Sequence, residues 1–479
     1  MKIVKNAFSQ LSSKFLTKCL GFFTFTWTVH YLGVNGYGRY SYITTFVSFF
    51  AMFSDMGMNA NLFKDVSKQP SKAAEQLGLT LGVEALVLPV LLLLLSGIAW
   101  TLEPDRVLWL FIVFAAFGTL SRVFSQSVIQ VLNGLEHFHL TAALDIVESA
   151  INLGLIGAVV LGDLKIKGLL LSLIVKHVAM LLISLVCYFR LKGSIRWNWN
   201  HKALTNLIWL SFPFVVIGLL NNVYQQMDII MLKHMTNFDV VGAYGAAYRL
   251  LTFVFLLGAT LSGVIFPRLA QKSNQVDAES YRFYGLSGRM LAYLALGINI
   301  LCVVAGQRGI EMILGHDFDY GGKIFVVLSL SIVINFLALI PTYTLMATEK
   351  LWRYAGVYVV SVLVNVAINF LAIPRWSGLG AAWATNVTEL VTLYFIYDLV
   401  RRSLKTPHLF DVAQLLRFLL VSGIGIGAAF YARSWPIFIS LPVFALLYIL
   451  LLRAGRVLSD DDQAWVTEFF GRLRQKYIR

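Results

Sequence analysis

Tyr224-Gln-Gln-Met-Asp228-Ile-Ile-Met-Leu-Lys233-His-Met-Thr-Asn-Phe-Asp-Val-Val-Gly242-Ala-Tyr244-Gly-Ala-Ala-Tyr-Arg249 decides the architecture, because one apolar run carrying Asp228 ends there in a polar turn and a second run begins. A faint copy lies near the N-terminus. A shift of 204 places Gly38 and Tyr40 on Gly242 and Tyr244, Thr45 on Arg249, and Leu62, Phe63, Lys64 and Lys68 on Phe266, Pro267, Arg268 and Lys272. Farther along, a shift of 213 places Glu136 on Glu349 and Asn152 on Asn365, and a shift of 212 places Gly168 on Gly380 and Arg190 on Arg402. The chain reads as two copies of one unit.

Hydrophobic residues make up 58% of the 479 and charged residues 13%, where a soluble globular chain carries about a quarter charged. Mean hydropathy is +0.73. Apolar stretches of about 20 residues recur throughout, and in lipid such a stretch must be a helix, which satisfies its own backbone hydrogen bonds. Short alternating strands are missing, which argues against a barrel. The fold class is therefore an all-α polytopic membrane protein. The net charge of +14 is concentrated in short loops between spans, the distribution that orients membrane proteins, so no nucleic-acid partner is implied. Cys19, Cys187 and Cys302 are odd in number and sit in or beside apolar runs, which gives neither a disulfide framework nor a metal cluster. The basic segment Met1 to Lys18 precedes an apolar run without a small-residue cleavage site, so a retained span is expected there, not a signal peptide.

Hydropathy predicts first-copy spans near 10–32, 40–62, 77–100, 107–132, 139–161 and 168–190, and second-copy spans near 206–232, 242–266, 287–306, 323–346, 352–373 and 380–400. Two more, near 412–432 and 436–453, have no partner in the first copy, making about fourteen transmembrane helices. The organisation is an N-terminal lobe (1–195), an interfacial linker (196–205), a C-terminal lobe (206–405), two additional spans (406–457) and a cytoplasmic tail (458–479). Arg196-Trp-Asn-Trp-Asn-His-Lys202 mixes aromatic and basic residues, as a segment in the headgroup layer does. In the tail, Trp465, Phe469 and Phe470 are spaced for one side of a surface helix.

With both ends cytoplasmic, the inner segments hold 24 Lys and Arg residues and the outer segments 9. That positive-inside bias predicts N-in/C-in. Each six-span copy then starts and ends inside, so the copies are expected as parallel repeats about an axis along the membrane normal, with a central cavity between two lobes.

The informative residues are charges within the apolar runs, because one at mid-bilayer costs about 2.5 to 3.5 kcal/mol even on the lenient insertion scale. They are Lys14, Lys18, Asp55, Glu84, Arg122, Asp145, Glu148, Lys176, Asp228, Arg249, Glu389 and Asp398. Lys14 and Lys18 are one helical turn apart, about 6 Å along the axis, a separation suited to two phosphates or to snorkelling at the inner headgroups. Arg122, Lys176 and Arg249 either line a polar route or pair with carboxylates. Asp228 near the repeat turn and Asp55 in Ser54-Asp-Met-Gly57 suit ion coupling or gating, or a structural pair. Glu84, followed by Pro89, marks either a kinked gating helix or ordinary packing. Asn59, Asn152 and Asn365 suit interhelical hydrogen bonds, and Pro213, Pro341 and Pro442 either hinges or structural kinks.

Soluble chemistry is missing from the sequence. It holds no Gly-Lys-Ser/Thr phosphate loop, the histidines lack metal-ligand spacing, and His137 and His139 have no supporting ligand nearby. The longest outer loop, about 307–322, is short for a catalytic site. No enzyme, cofactor or metal is expected.

Leu32-Gly-Val-Asn-Gly-Tyr-Gly-Arg-Tyr40, Ser54-Asp-Met-Gly57 and the stretch from Asp228 through Arg249 resemble the polysaccharide transporter branch of the multidrug/oligosaccharidyl-lipid/polysaccharide exporter superfamily, most closely the Wzx-type O-antigen flippases. The resemblance extends through residue 402. It implies a carrier in the bacterial inner membrane that moves undecaprenyl-diphosphate-linked oligosaccharide from the cytoplasmic to the periplasmic leaflet by alternating access, coupled to an H+ or Na+ gradient. It also implies, as partners, a polysaccharide polymerase and a chain-length regulator alongside the phospholipid bilayer. On this resemblance Lys14, Lys18 and Arg249 line a cationic cavity, Arg122 and Lys176 extend it, and Asp55, Asp228 and Glu84 serve coupling or gating. Few second-copy cations leave that path lopsided. The rival expectations are a drug/cation antiporter of the same superfamily, which needs an acidic aromatic cavity; an O-antigen polymerase or ligase, which needs a large periplasmic loop; and a lipid II flippase.

Overall fold

The computed structural model describes residues 2–55, 57–197, 201–272, 278–347, 351–404, 409–432, 435–459 and 462–463. Among the described residues there are fourteen α-helices, two 3-10 turns and no strand. The first helices are α1 (Lys2–Asp55), α2 (Met58–Lys68), α3 (Ala73–Leu102), α4 (Arg106–Leu120), α5 (Arg122–Gly134), α6 (Phe138–Leu161), α7 (Lys165–Arg190) and α8 (His201–Met235). The rest are α9 (Phe238–Lys272), α10 (Ala278–Leu314), α11 (Asp319–Ala347), α12 (Leu351–Leu404), α13 (Val412–Tyr431) and α14 (Ile437–Ala454). Among the described residues, ten helical stretches are long and apolar enough to cross a membrane, and their outward faces carry Leu, Val, Phe and Trp that water would penalise, such as Leu93, Leu182, Leu363 and Phe438. The chain is a multi-pass membrane protein.

Two compact units divide the chain, Met1–His234 and Met235–Arg479. In the first, α1 packs on α6 and α4, α2 on α5, and α7 on α4, α5 and α6. Leu62, Leu77, Val128, Leu132 and Met180 form its inner core. In the second, α11 sits between α10, α9 and α12, while α13 and α14 lean on α10. The unit boundary differs from the repeat boundary, since the repeat assigns 206–232 to the second copy whereas nearly all of α8 is grouped with the first unit.

The helices depart from the hydropathy spans at four places, the first being α1, which holds the expected span 10–32 and most of 40–62 across a kink at Gly33 (φ 67°). The expected span 40–62 stops at Asp55, because Gly57 takes left-handed angles (φ 70°) and the Asp55 carboxylate accepts the Asn59 N–H at 3.0 Å, starting α2 as a separate amphipathic helix. The expected span 107–132 is nicked at Ser121, where α4 ends and Arg122 opens α5 within one helical stretch, Arg106–Gly134. Helix α12 holds both expected spans 352–373 and 380–400 and turns at Ser377. The amphipathic tail with Trp465, Phe469 and Phe470 lies outside the described residues, as do 198–200 of the linker. Of the linker, Arg196 donates its N–H to Ala74 O at 3.0 Å.

A positive φ occurs at Lys165 (50°) and at Ser377 (53°), which are separated by the same 212 residues as Gly168 and Gly380. A Cβ at Gly168 would strike Leu164 and then Val159, and one at Gly380 would strike the Ala372 and Ile373 backbone. Ser377 (φ 53°, ψ −132°) is in a region that side chains resist at a cost of about 1–3 kcal/mol. Ser377→Gly is accordingly expected to stabilise the purified protein by roughly 1 kcal/mol, read as a higher midpoint of thermal unfolding; an unchanged or lower midpoint would show that the turn stores no strain.

Candidate functional site

A mixed-charge cluster lies inside the first unit. Asp145 and Glu148 are three residues apart, hence on one face of α6. The charges of Lys14 on α1 and Arg122 on α5 reach Asp145, and those of Glu148 and Arg122 reach Lys176 on α7. Lys14 and Arg122 are exposed, whereas Asp145, Glu148 and Lys176 are half-buried. Among the described residues no ion pair within 4.0 Å ties these five together. The cations are held near carboxylates without being locked to them. Such an arrangement lowers the desolvation cost of the charges and leaves the cations free to exchange a distant carboxylate for an incoming anion. Lys18 is exposed one turn beyond Lys14. Arg249 belongs to the second unit, exposed, with its guanidinium carbon 6.0 Å from the Phe253 ring centre. Three of the five sequence-expected cations are therefore brought together, with two acids that the sequence shows as charges but does not assign.

The expected coupling carboxylates fall in two places. Glu84 on α3 is 1% exposed; the Ser127 hydroxyl donates to one of its oxygens, and that same hydroxyl lies 3.0 Å from Asn59 Oδ1. The other Glu84 oxygen has no hydrogen-bond partner among the described residues, and the Asp55 charge reaches Glu84 from the end of α1. Asp55 thus has a structural task, capping α2, within an acidic pair. Asp228, on α8, is 3% exposed.

One polar assembly escapes a sequence reading altogether. Glu103, at the end of α3, is 1% exposed; Tyr42 donates to it, and Lys233 Nζ lies 2.5 Å from its other oxygen. Lys233 also sits 5.1 Å above the Tyr42 ring, and His234 Nε2 is 3.8 Å from Glu103. Below these, Thr45 reaches Gln226 at 3.3 Å and Ser48 reaches Asn222 at 3.4 Å, so α1 and the last half of α8 are joined by a ladder of long, weak contacts capped by one strong ion pair. In sequence, Lys233 is indistinguishable from an ordinary loop cation, and Glu103 from the end of an apolar run. Lys233→Ala would strand Glu103 in the interior at a cost of about 3–5 kcal/mol. A large drop in thermal stability and yield is expected for Lys233→Ala but a small one for Lys233→Arg; equal behaviour of both variants would exclude a stabilising ion pair.

An all-helical, multi-pass membrane scaffold thus carries a group of charged side chains within its first unit. Its fold is that of "Lipid II flippase MurJ, inward closed conformation", with a TM-score of 0.71 over 92% of this chain and 97% of that one at 14% identity. The Vibrio cholerae MATE transporter VcmN (D35N mutant) shares it with a TM-score of 0.59, over 85% and 99% of the two chains at 14% identity. Residues 3–273 match the family model "Polysaccharide biosynthesis protein", and the chain belongs to that family. The "Probable low-salt glycan biosynthesis flippase Agl15" of Haloferax volcanii is 23% identical over 380 residues, 78% of either chain. The family match agrees with the resemblance carried by Leu32–Tyr40 and Asp228–Arg249.

Proposed function

We propose that the protein is a flippase for lipid-linked oligosaccharide. Its substrate is an undecaprenyl-diphosphate-linked repeat unit of O-antigen or a related surface polysaccharide, moved from the cytoplasmic to the periplasmic leaflet of a bacterial inner membrane. The observation that carries this is the cluster of Lys14, Arg122, Lys176, Asp145 and Glu148 within an apolar scaffold, in a chain whose relative is named a glycan biosynthesis flippase.

Flipping breaks no bond, which fits a chain without catalytic motifs. The barrier is the transfer of a charged, hydrated headgroup through hydrocarbon, while the polyprenyl tail stays in lipid. Lys14, Lys18, Arg122 and Lys176 replace water around the diphosphate. Asp145 and Glu148 keep them from holding it too tightly, since a site that favours one state too strongly stops the cycle. A negative-inside potential drives an anion outward by about 2.3 kcal/mol per charge per 100 mV. Asp55, Glu84 and Asp228 couple the cycle to an H+ or Na+ gradient or gate it. With both termini cytoplasmic, Lys14 lies toward the substrate's leaflet. The α1–α8 ladder then lies toward the opposite leaflet, and its long contacts part as the carrier opens there. A polysaccharide polymerase and chain-length regulator receive the flipped unit.

The test is a strain lacking the gene. Single lipid-linked repeat units should accumulate in the inner leaflet and surface glycan should disappear. The wild-type gene should restore it, and Lys176→Ala should slow restoration roughly tenfold, the scale of one lost hydrogen bond to a charged group. Surface lipopolysaccharide with one repeat unit would instead indicate a polymerase. Unchanged glycan with raised sensitivity to organic cations would indicate a drug antiporter.

A further inference from the structure

A groove in the second unit is built like the inverse of a phospholipid. It is lined by Arg353, Gly356, Val357 and Val360 from one half of α12 and by Phe395, Asp398, Leu399 and Arg402 from the other, and encloses about 260 Å³. Both sets are spaced i, i+3, i+4, i+7, which puts each on a single helix stripe about 10 Å long. The stripes run in opposite directions through the Ser377 turn, so the two arginines share one end and the apolar residues extend from it. That end carries Arg353, Asp398, Arg401 and Arg402, and such a concentration of charge at the two ends of an apolar helix pair belongs at a membrane surface.

The side chains are arranged for a ligand more than for loop charge alone. Arg402 is oriented by Asp398 at 2.8 Å, while Arg353 has no hydrogen-bond or ion-pair partner among the described residues. The groove keeps a net positive charge with Asp398 included. A Cβ on Gly356 would meet nothing within 4 Å, so the groove is open along its floor. Its volume is below the roughly 300–1,000 Å³ of drug-sized sites, enough for a phosphate and the first part of one chain. Basic pockets between membrane helices take anionic lipid headgroups, with each basic residue contributing on the order of a fivefold gain.

We infer that this groove binds one anionic phospholipid, its phosphate between Arg353 and Arg402 and an acyl chain along Gly356, Val360 and Phe395. The site is independent of the flippase reading. Native mass spectrometry of the purified full-length chain, equilibrated with equal amounts of phosphatidylglycerol and phosphatidylcholine of identical chains, tests it. The wild type should retain one phosphatidylglycerol in preference. Arg353→Gln with Arg402→Gln should weaken that retention roughly twentyfold, and Gly356→Leu, which fills the floor but keeps both charges, should weaken it as well. Equal retention of the two lipids, or unchanged retention in the double variant, would overturn the inference. So would displacement by sn-glycerol 1-phosphate as effective as by the whole lipid, which would mark a headgroup site without a chain groove. Displacement by a polyprenyl diphosphate at a far lower concentration would assign the groove to substrate instead.

Discussion

A charge in hydrocarbon must be compensated, and the organisation of the first unit follows from that constraint. Removing one charged side chain from water costs several kcal/mol after relaxation, yet α1, α5, α6 and α7 together bring Lys14, Arg122, Asp145, Glu148 and Lys176 within electrostatic reach. None of the five is fully buried, and no close ion pair among the described residues neutralises them. A site meant only to stabilise the fold would pair them at contact distance, as Glu103 and Lys233 are paired. Here compensation acts at a distance, so that among the described residues none of the three cations is held by a carboxylate at contact distance.

The two electrostatic arrangements divide the work. Near one end of α8, a buried carboxylate, a lysine and a tyrosine hydroxyl fix the helix strongly. Along the same helix, Thr45–Gln226 and Ser48–Asn222 are at the long limit of hydrogen bonding, where such contacts weaken. The ion pair and the two long contacts therefore hold α8 with very different strength along its length.

The fold was legible in sequence wherever it depended on length and hydropathy. Helices α13 and α14 coincide with the runs at 412–432 and 436–453, and Lys165 and Ser377, both at positive φ, are separated by the same 212 residues as Gly168 and Gly380. What hydropathy could not register were breaks set by single residues, such as Gly57 with its Asp55 cap and the kink at Gly33 within α1. Intramembrane charges were visible because lipid makes them costly, which is why Lys14, Arg122 and Lys176 stood out. Glu103 and Lys233 did not, since a charge at the end of a run carries no such penalty, and their partnership spans 130 residues. The Arg353/Arg402 groove needed the α12 turn before its two stripes could be seen as one surface.

The most direct measurement reconstitutes the purified chain in vesicles holding a fluorescent polyprenyl-diphosphate oligosaccharide. The exchange of headgroups between leaflets is then followed by their accessibility to a membrane-impermeant quencher. Wild-type protein should accelerate exchange well above protein-free vesicles, and replacing Lys14, Arg122 and Lys176 together by alanine should return it to that background. Wild-type exchange no faster than in empty vesicles would contradict translocation of this substrate, and full exchange by the triple variant would contradict the charge cluster as its route.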